Sequence, residues 1–333
     1  MDIRFYQRLV LLTTLLAVIL VGLGAYVRLS DAGLGCPDWP GCYGTLSVPQ
    51  SQQAIQAAEQ AYPASPLEHG KAWKEMAHRY VAGVLGLLIL LIFVLSWKLR
   101  QQIHVSPWLT SLLMLWVIFQ AMLGMWTVTL LLMPAIVTMH LIGGLVTLAL
   151  LTWISHRHHG DFYVLPNYQA GLKAAIRLAL PLLFAQIILG GWTSTNYAGL
   201  ACTDFPLCHG AWMPAQMDFA TGFDVTRQLG KTATGENMAL SAYTPIQWLH
   251  RVGALIVFSY FVYLIAKMWR INLLRRDCKR LALLLFTQIS LGIANVVLHL
   301  PLVLAVAHNV VAALLLVQVV VLNSRISRKQ RGF

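Results

Sequence analysis

The chain has 333 residues, of which 58% are apolar and only 11% are charged, and its mean hydropathy is +0.67. This composition excludes an ordinary soluble domain and indicates a membrane protein. The formal net charge is +12. The basic residues fall at alternate membrane boundaries and not along one soluble face, so we predict no nucleic-acid partner.

Eight apolar runs approach the ~20 residues that a helix needs to cross the hydrocarbon core of a bilayer. The first follows two basic residues, as in a signal peptide, but it is long and lacks a small-residue cleavage site, so we expect it to remain as a helix. The fifth and sixth runs are the shortest. In chain order the runs are Leu9–Val27, Tyr80–Trp97, Trp108–Val128, Ala135–Ile154, Ile176–Trp192, Val252–Ala266, Leu281–Leu298 and Leu302–Leu322. We therefore predict an all-α integral membrane protein with eight transmembrane helices.

The basic residues also predict the orientation of these helices. In an eight-helix protein, one group of basic residues would lie together on one side of the membrane. The group comprises Arg4, Arg8, Lys98, Arg100, Arg157, Lys173, Lys267 through Arg280 and Arg325 through Arg331. The positive-inside rule makes that side cytoplasmic. We expect an inner-membrane protein with both termini in the cytoplasm and two long loops, roughly Arg28–Arg79 and Thr193–Arg251, in the periplasm.

An internal repeat organises the chain. AGLGCPDWPGCYG at Ala32–Gly44 aligns without a gap with AGLACTDFPLCHG at Ala198–Gly210, and eight of the thirteen positions are identical. The repeat continues further along the chain, where Gly124 follows Gln120 by four residues and Gly292 follows Gln288 by four residues. The repeat predicts two tandem four-helix bundles, residues 1–160 and 161–333, related by a pseudo-twofold axis along the membrane normal. An inverted-repeat transporter is thereby disfavoured.

Four histidines occupy repeat-equivalent positions near the outer membrane face. His78 and His250 stand at the outer starts of the second and sixth predicted helices, and His140 and His308 lie about two turns into the fourth and eighth. Two histidines on facing helices of a bundle are typical of a haem site with two axial ligands. Zinc would need a third or fourth ligand, and no intramembrane carboxylate recurs in both halves. We predict two such haem sites.

The two halves differ three residues before the first histidine of each pair. Glu75 precedes His78 and Gln247 precedes His250, each on the same helical face as its histidine. A carboxylate can transfer a proton, whereas an amide can only form hydrogen bonds. This difference predicts that the N-terminal half reacts and the C-terminal half holds a fixed haem. The alternative is that Glu75 caps the second helix and pairs with a nearby base: Lys71, Lys74 or Arg79.

Two further groups surround these histidines. Arg79 and Arg251 each follow a histidine directly and are candidate partners for haem propionates. Two C-x5-C pairs lie in the long loops, and in an oxidising periplasm we expect both to be disulfides. A redox role for these cysteines beside a haem is the alternative. The cysteines are Cys36, Cys42, Cys202 and Cys208.

Taken together, these motifs resemble the haem A synthase family over essentially the whole chain. They are the two AGL-x-C-x5-C loops, Glu75-Met76-Ala77-His78-Arg79, His140, Gln247-Trp248-Leu249-His250-Arg251 and His308. The resemblance implies a haem b held by His250 and His308, and haem O received near His78 and His140. It also implies oxidation of a porphyrin methyl group to a formyl group, by successive hydroxylations and loss of water, with Glu75 as the proton-transfer residue.

The chemistry divides on whether both histidines stay on the substrate iron. If they do, oxidation proceeds by electron removal followed by attack of water; if one leaves, dioxygen can be activated at the iron. The chain has no flavin or nicotinamide fingerprint, so a quinone or a separate redox protein is the expected electron partner. Haem O synthase is a further candidate partner, for direct hand-over of the substrate.

Two other functions use the same residues. A di-haem b-type protein that carries electrons from quinol to an acceptor would need the four histidines, but it would not need the difference between Glu75 and Gln247. A transporter without haem would use the histidines to gate protons.

Overall fold

The computed structural model describes residues 2–103, 105–159 and 170–326. Within these ranges the chain is helical and contains no β-strand. Helices outnumber the membrane spans because two of them, α2 and α7, lie in the long loops. The helices are α1 (Ile3–Leu29), α2 (Gln52–Ala61), α3 (His69–Lys98), α4 (Pro107–Thr129), α5 (Pro134–His159), α6 (Ala170–Thr195), α7 (Phe219–Gly222), α8 (Leu240–Trp269), α9 (Arg275–Val297) and α10 (Leu302–Ile326).

Across the described ranges, eight helices are long and apolar enough to cross a membrane, which confirms the predicted number. The bounds are wider than predicted. The two runs expected to be shortest belong to α6, of 26 residues, and α8, of 30 residues. A helix does not end where its apolar stretch ends, because backbone hydrogen bonding continues through polar residues beyond the lipid.

The starts of α3 and α8 correct one expectation about the histidines. His78 lies nine residues after His69, and His250 lies ten residues after Leu240, so neither histidine opens its helix. At ~1.5 Å per residue, each helix therefore extends about 14 Å from its histidine towards its N-terminus. The positions of His140 and His308 near the starts of α5 and α10 are as predicted.

Helix contacts form two closed rings. In the first, α1 packs on α3, α3 on α4, α4 on α5 and α5 on α1; in the second, α6, α8, α9 and α10 pack in the same order. The rings meet through α1 and α5 of the first and α6 and α10 of the second. The pseudo-twofold axis and the boundary at residue 160 stay predictions, and residues 160–169 lie outside the described part.

Polar contacts join elements at both ends of the rings. At the end that carries the bridged loops, Arg28 of α1 donates to the carbonyl oxygen of Ser194 at 2.7 Å, and its guanidinium lies 3.8 Å from the centre of the Tyr197 ring. On the other side, fully buried Asp277 pairs with Arg325, both of its oxygens accepting from that guanidinium. Ionised groups inside a membrane protein require such partners.

Both predicted disulfides are formed. Cys36 and Cys42 are joined by an S–S bond of 1.99 Å, and Cys202 and Cys208 by one of 2.02 Å. All four cysteines are buried, and each bridge encloses a cis proline. The two bridged loops thus have the same covalent frame, as the sequence repeat predicted.

An aspartate closes each bridged loop in the same way. Asp38 accepts from the backbone N–H of Tyr43 at 2.6 Å and of Gly44 at 2.7 Å, and both of those residues have positive φ. Asp204 accepts from the N–H groups of His209 and Gly210, both at 2.8 Å. The Gly210 N–H is the main cause that holds the pKa of Asp204 below its usual range. The sequence repeat is therefore also a repeat of loop structure.

The predicted orientation can be tested with single cysteines. Gln56→Cys places a thiol on the exposed face of α2 in the first long loop, and Lys279→Cys places one at the exposed start of α9. We expect a membrane-impermeant maleimide to label the first in intact cells and the second only after lysis. The unmodified chain is the control, because its free Cys278 is buried and its other cysteines are bridged. Labelling of Lys279→Cys in intact cells would contradict the predicted orientation.

Candidate functional site

Each of the four histidines packs against a glycine of a neighbouring helix. A Cβ atom added to that glycine would lie 3.0–3.1 Å from the Cε1 atom of the imidazole ring, which is tighter than ordinary contact. Only glycine lets the two helices approach this closely without displacing the ring. The pairs are His78 with Gly24, His140 with Gly124, His250 with Gly190 and His308 with Gly292.

For three of these histidines, a glutamine four residues before the glycine contacts the ring. The amide nitrogen of Gln120 lies 3.1 Å from Nδ1 of His140, and that of Gln186 lies 3.0 Å from Nδ1 of His250. Both amides also donate to the backbone carbonyl oxygen of the same histidine, at 2.6 and 3.0 Å. Gln288 reaches His308 through the other ring nitrogen, Nε2, at 3.1 Å.

The four rings form two pairs with remaining capacity for a ligand. His78 and His140 lie within electrostatic range of each other, as do His250 and His308. All four side chains are only partly buried. Nδ1 of His78 and Nδ1 of His308 are buried atoms without a hydrogen-bond partner among the described residues. The structure therefore brings the predicted histidines together in the predicted pairs, with polar atoms left over.

Glu75 and Gln247 make the same backbone contact in their two halves. The carboxylate of Glu75 accepts from the backbone N–H of Cys36 at 2.9 Å, and the side-chain oxygen of Gln247 accepts from that of Cys202. Both side chains are buried, with exposed fractions of 5% and 3%. Each side chain therefore ties a disulfide loop to the helix that carries the histidine.

The remaining contacts of the two side chains differ. Glu75 forms an ion pair with Arg79, whereas the Gln247 amide nitrogen donates to the carbonyl oxygen of Gly199. The expectation that Glu75 caps its helix is wrong, because it lies six residues after His69 and the first turn of α3 contains no acid. Of the three bases considered as its partner, Arg79 makes the ion pair.

Arg79 and Arg251 hold the disulfide loops through their backbone carbonyl groups. Arg79 donates to the carbonyl oxygen of Asp38 at 2.9 Å and to that of Gly41. Arg251 donates to the carbonyl oxygens of Cys202, Asp204 and Leu207 at 2.6–2.8 Å. Nε of Arg251 is buried without a partner among the described residues, so this arginine retains one donor for an anionic group.

Sequence reasoning missed the glycines as ring contacts and missed Gln186 altogether. A signal for them was present, because glutamine and glycine four residues apart occur at Gln120, Gln186 and Gln288. Residues at this spacing share a helical face. The role of Gln186 was not evident from the sequence because its partner His250 lies 64 residues later, across the second long loop.

A family model for cytochrome oxidase assembly proteins, COX15-CtaA, matches residues 7–320. The chain belongs to this family. It is 42% identical over 324 residues to a protein named haem A synthase from Shewanella oneidensis, which covers 97% of this chain and 96% of the relative. A protein named haem A synthase from Wolbachia pipientis is 27% identical over 331 residues, which cover 91% of this chain and 87% of the relative. One from Halalkalibacterium halodurans is 29% identical over 207 residues, with 61% and 64% covered.

The glycine contacts predict a loss of haem retention in this family member. Gly190→Ala would place a Cβ atom 3.0 Å from His250, and misorientation of a ligand costs ~10-fold or more in affinity. We expect about that loss in haem retained against an excess of a soluble haem-binding protein. Gly171→Ala on the same helix is the control, because its Cβ would meet nothing within 4 Å. Equal retention by the two variants would show that the close contact is unimportant.

Proposed function

We propose that this chain oxidises the methyl group of haem O to the formyl group of haem A, in its N-terminal half. The observation that carries the proposal is that one histidine site occurs twice, with a buried carboxylate in one copy and an amide in the other. The relatives named haem A synthase, one of them 42% identical over nearly the full chain, support the same reaction. The alternative of a simple electron carrier gives no role to this difference.

The assignment of the two sites follows from their polar groups. His78 and His140 would hold haem O as substrate, and His250 and His308 would hold a resident haem b. A haem bound between two histidines supplies a one-electron redox centre. Nε of Arg251, which has no partner among the described residues, supports a propionate contact in the C-terminal half. Arg79 is the equivalent candidate beside the substrate.

Glu75 is the proposed proton acceptor at the reacting carbon. Conversion of a methyl to a formyl group with water as the oxygen source releases four electrons and four protons, in two hydroxylations followed by loss of water. Glu75 lies on the same face of α3 as His78 and forms an ion pair with Arg79. Gln247 cannot take a proton at the equivalent position.

The electrons require an acceptor outside the chain, which we propose to be a quinone or a separate redox protein. The substrate carries a long isoprenoid tail, so we propose that it enters from the lipid between helices, with haem O synthase as the donor. The chain is a multi-pass membrane protein. We place its bridged loops and both candidate sites towards the periplasmic face of the inner membrane.

The decisive experiment compares haems extracted from a haem-O-producing host with and without this chain. We expect mass analysis to detect haem A or its hydroxylated precursor only when the chain is expressed. Unaltered haem O together with bound haem B would support the electron-carrier alternative. A purified chain with no Soret absorbance, even after haem addition, would support a transporter.

Glu75→Gln tests the catalytic assignment, with a product yield expected to fall by roughly 10²–10⁴-fold, the usual contribution of a general base. The loop anchor should survive, because Gln247 already accepts from a cysteine N–H in the other half. Haem content and Soret spectrum should therefore be unchanged. Glu59→Gln, an equal change on the exposed face of α2, is the control. An unimpaired haem A yield from Glu75→Gln would remove Glu75 from the mechanism.

A further inference from the structure

Three of the four histidine sites share a residue that the fourth lacks. Each histidine faces a glycine, and the residue four positions before that glycine lies on the same face of the neighbouring helix. This residue is a glutamine opposite three of the histidines. Opposite His78 it is Leu20, which is partly buried against the main hydrophobic core and has no polar side-chain atom.

The leucine leaves the ring of His78 without the support that the other rings have. Nδ1 of His78 is buried and has no hydrogen-bond partner in the described part of the chain. Nδ1 of His308 also lacks a partner among the described residues, but its ring is in contact with a glutamine amide through Nε2 at 3.1 Å. The ring of His250 has such a contact through Nδ1 at 3.0 Å. In the N-terminal pair only His140 has this contact.

A glutamine beside the ring matters for a histidine that ligates iron. A hydrogen bond that the second ring N–H donates to a neighbouring acceptor fixes the ring orientation and increases its strength as a ligand, and loss of such a contact typically weakens metal binding 10–100-fold. Each glutamine also has a buried side-chain oxygen without a partner among the described residues. With its amide group turned over, each glutamine can therefore accept the ring N–H through this oxygen. Leu20 has no such acceptor.

We infer that His78 is the exchangeable axial ligand of the substrate haem, and that Leu20 is the positioning residue that makes it so. This inference rests on the proposed function, because it assumes haem O between His78 and His140. It is compatible with water as the oxygen source, because the molecule that replaces His78 can be water. Ligand exchange breaks the iron bond to His78 and forms one to a small incoming molecule, with no electron transferred. His140 stays bound, held by Gln120, and both ligands of the C-terminal haem stay bound.

The position of Glu75 agrees with this assignment. Glu75 lies three residues before His78 on the same face of α3, so the one buried carboxylate unique to the N-terminal half stands beside the one unsupported histidine. The N-terminal half thus departs from the repeat twice, with Leu20 and Glu75 each standing where the repeat has a glutamine. Both positions are equivalent to ones next to a histidine, and here that histidine is His78. A coordination position that opens there would lie next to the proposed proton acceptor.

Space for a glutamine at position 20 can be judged from the other sites. Gln120 and Gln186 pack against glycines three residues after their histidines, Gly143 and Gly253, whereas the equivalent residue after His78 is Val81. Gln288 nevertheless contacts His308, and three residues after that histidine stands Val311. Leu20→Gln therefore reproduces an arrangement that this chain already contains.

Carbon monoxide is the probe, because it binds reduced haem iron only where an axial ligand yields. In the reduced, haem-loaded protein we expect carbon monoxide to bind one of the two haems. Leu20→Gln should lower that affinity about 10-fold, equivalent to ~1.4 kcal/mol, measured by titration of the Soret band. Ile19→Gln, the same kind of change on the exposed face of α1, should bind carbon monoxide as the unmodified chain does.

The opposite change is measured in the C-terminal half, which keeps the inference testable if Leu20→Gln does not fold. Gln186→Leu should allow carbon monoxide to bind the second haem as well. Equal affinity in Leu20→Gln and the unmodified chain, or no added binding in Gln186→Leu, would overturn the inference. The optical readout needs no turnover, so a chain that binds carbon monoxide as expected but forms no haem A would refute only the proposed function.

Discussion

The close contact between an imidazole ring and a helix glycine is the constraint on which both candidate sites depend. It occurs four times, each time with the ring within 3.0–3.1 Å of where a Cβ atom would stand. Such contacts bring neighbouring helices close enough to present two histidines to one bundle interior. Without the glycines, the rings would turn away from the positions in which they form pairs.

The bridged loops are attached to the same helices by side chains next to the histidines. In each half, one buried side chain receives the N–H of the first cysteine, and one arginine donates to the loop carbonyl groups. The bridged loop and the candidate histidine of each half are thereby fixed to one helix, α3 for His78 and α8 for His250. Since an amide and a carboxylate can both accept the cysteine N–H, this position can change charge between the halves while the loop keeps its structure.

In the proposed assignment, one copy of the duplicated unit keeps a stable cofactor while the other reacts. The C-terminal pair has a glutamine on each ring and an amide at Gln247, all groups that hold a ligand without exchanging protons. The N-terminal pair has Leu20 and Glu75 at the two corresponding positions, four residues before Gly24 and three before His78. A reactive site requires a less firmly held ligand and a proton acceptor, and a resident electron-transfer site requires neither.

The sequence by itself determined the number of helices, the two repeats, both disulfides and the four histidines, because hydropathy, cysteine spacing and internal similarity are properties of the chain order. Only the tertiary structure decided where α3 and α8 begin, that Glu75 pairs with Arg79 while tying down Cys36, and that Gln186 supports His250. These facts depend on residues far apart in the chain that meet only when the helices pack. The absence of a glutamine opposite His78 became visible for the same reason, since Leu20 differs from the other leucines of α1 by its position four residues before Gly24, the glycine that His78 contacts.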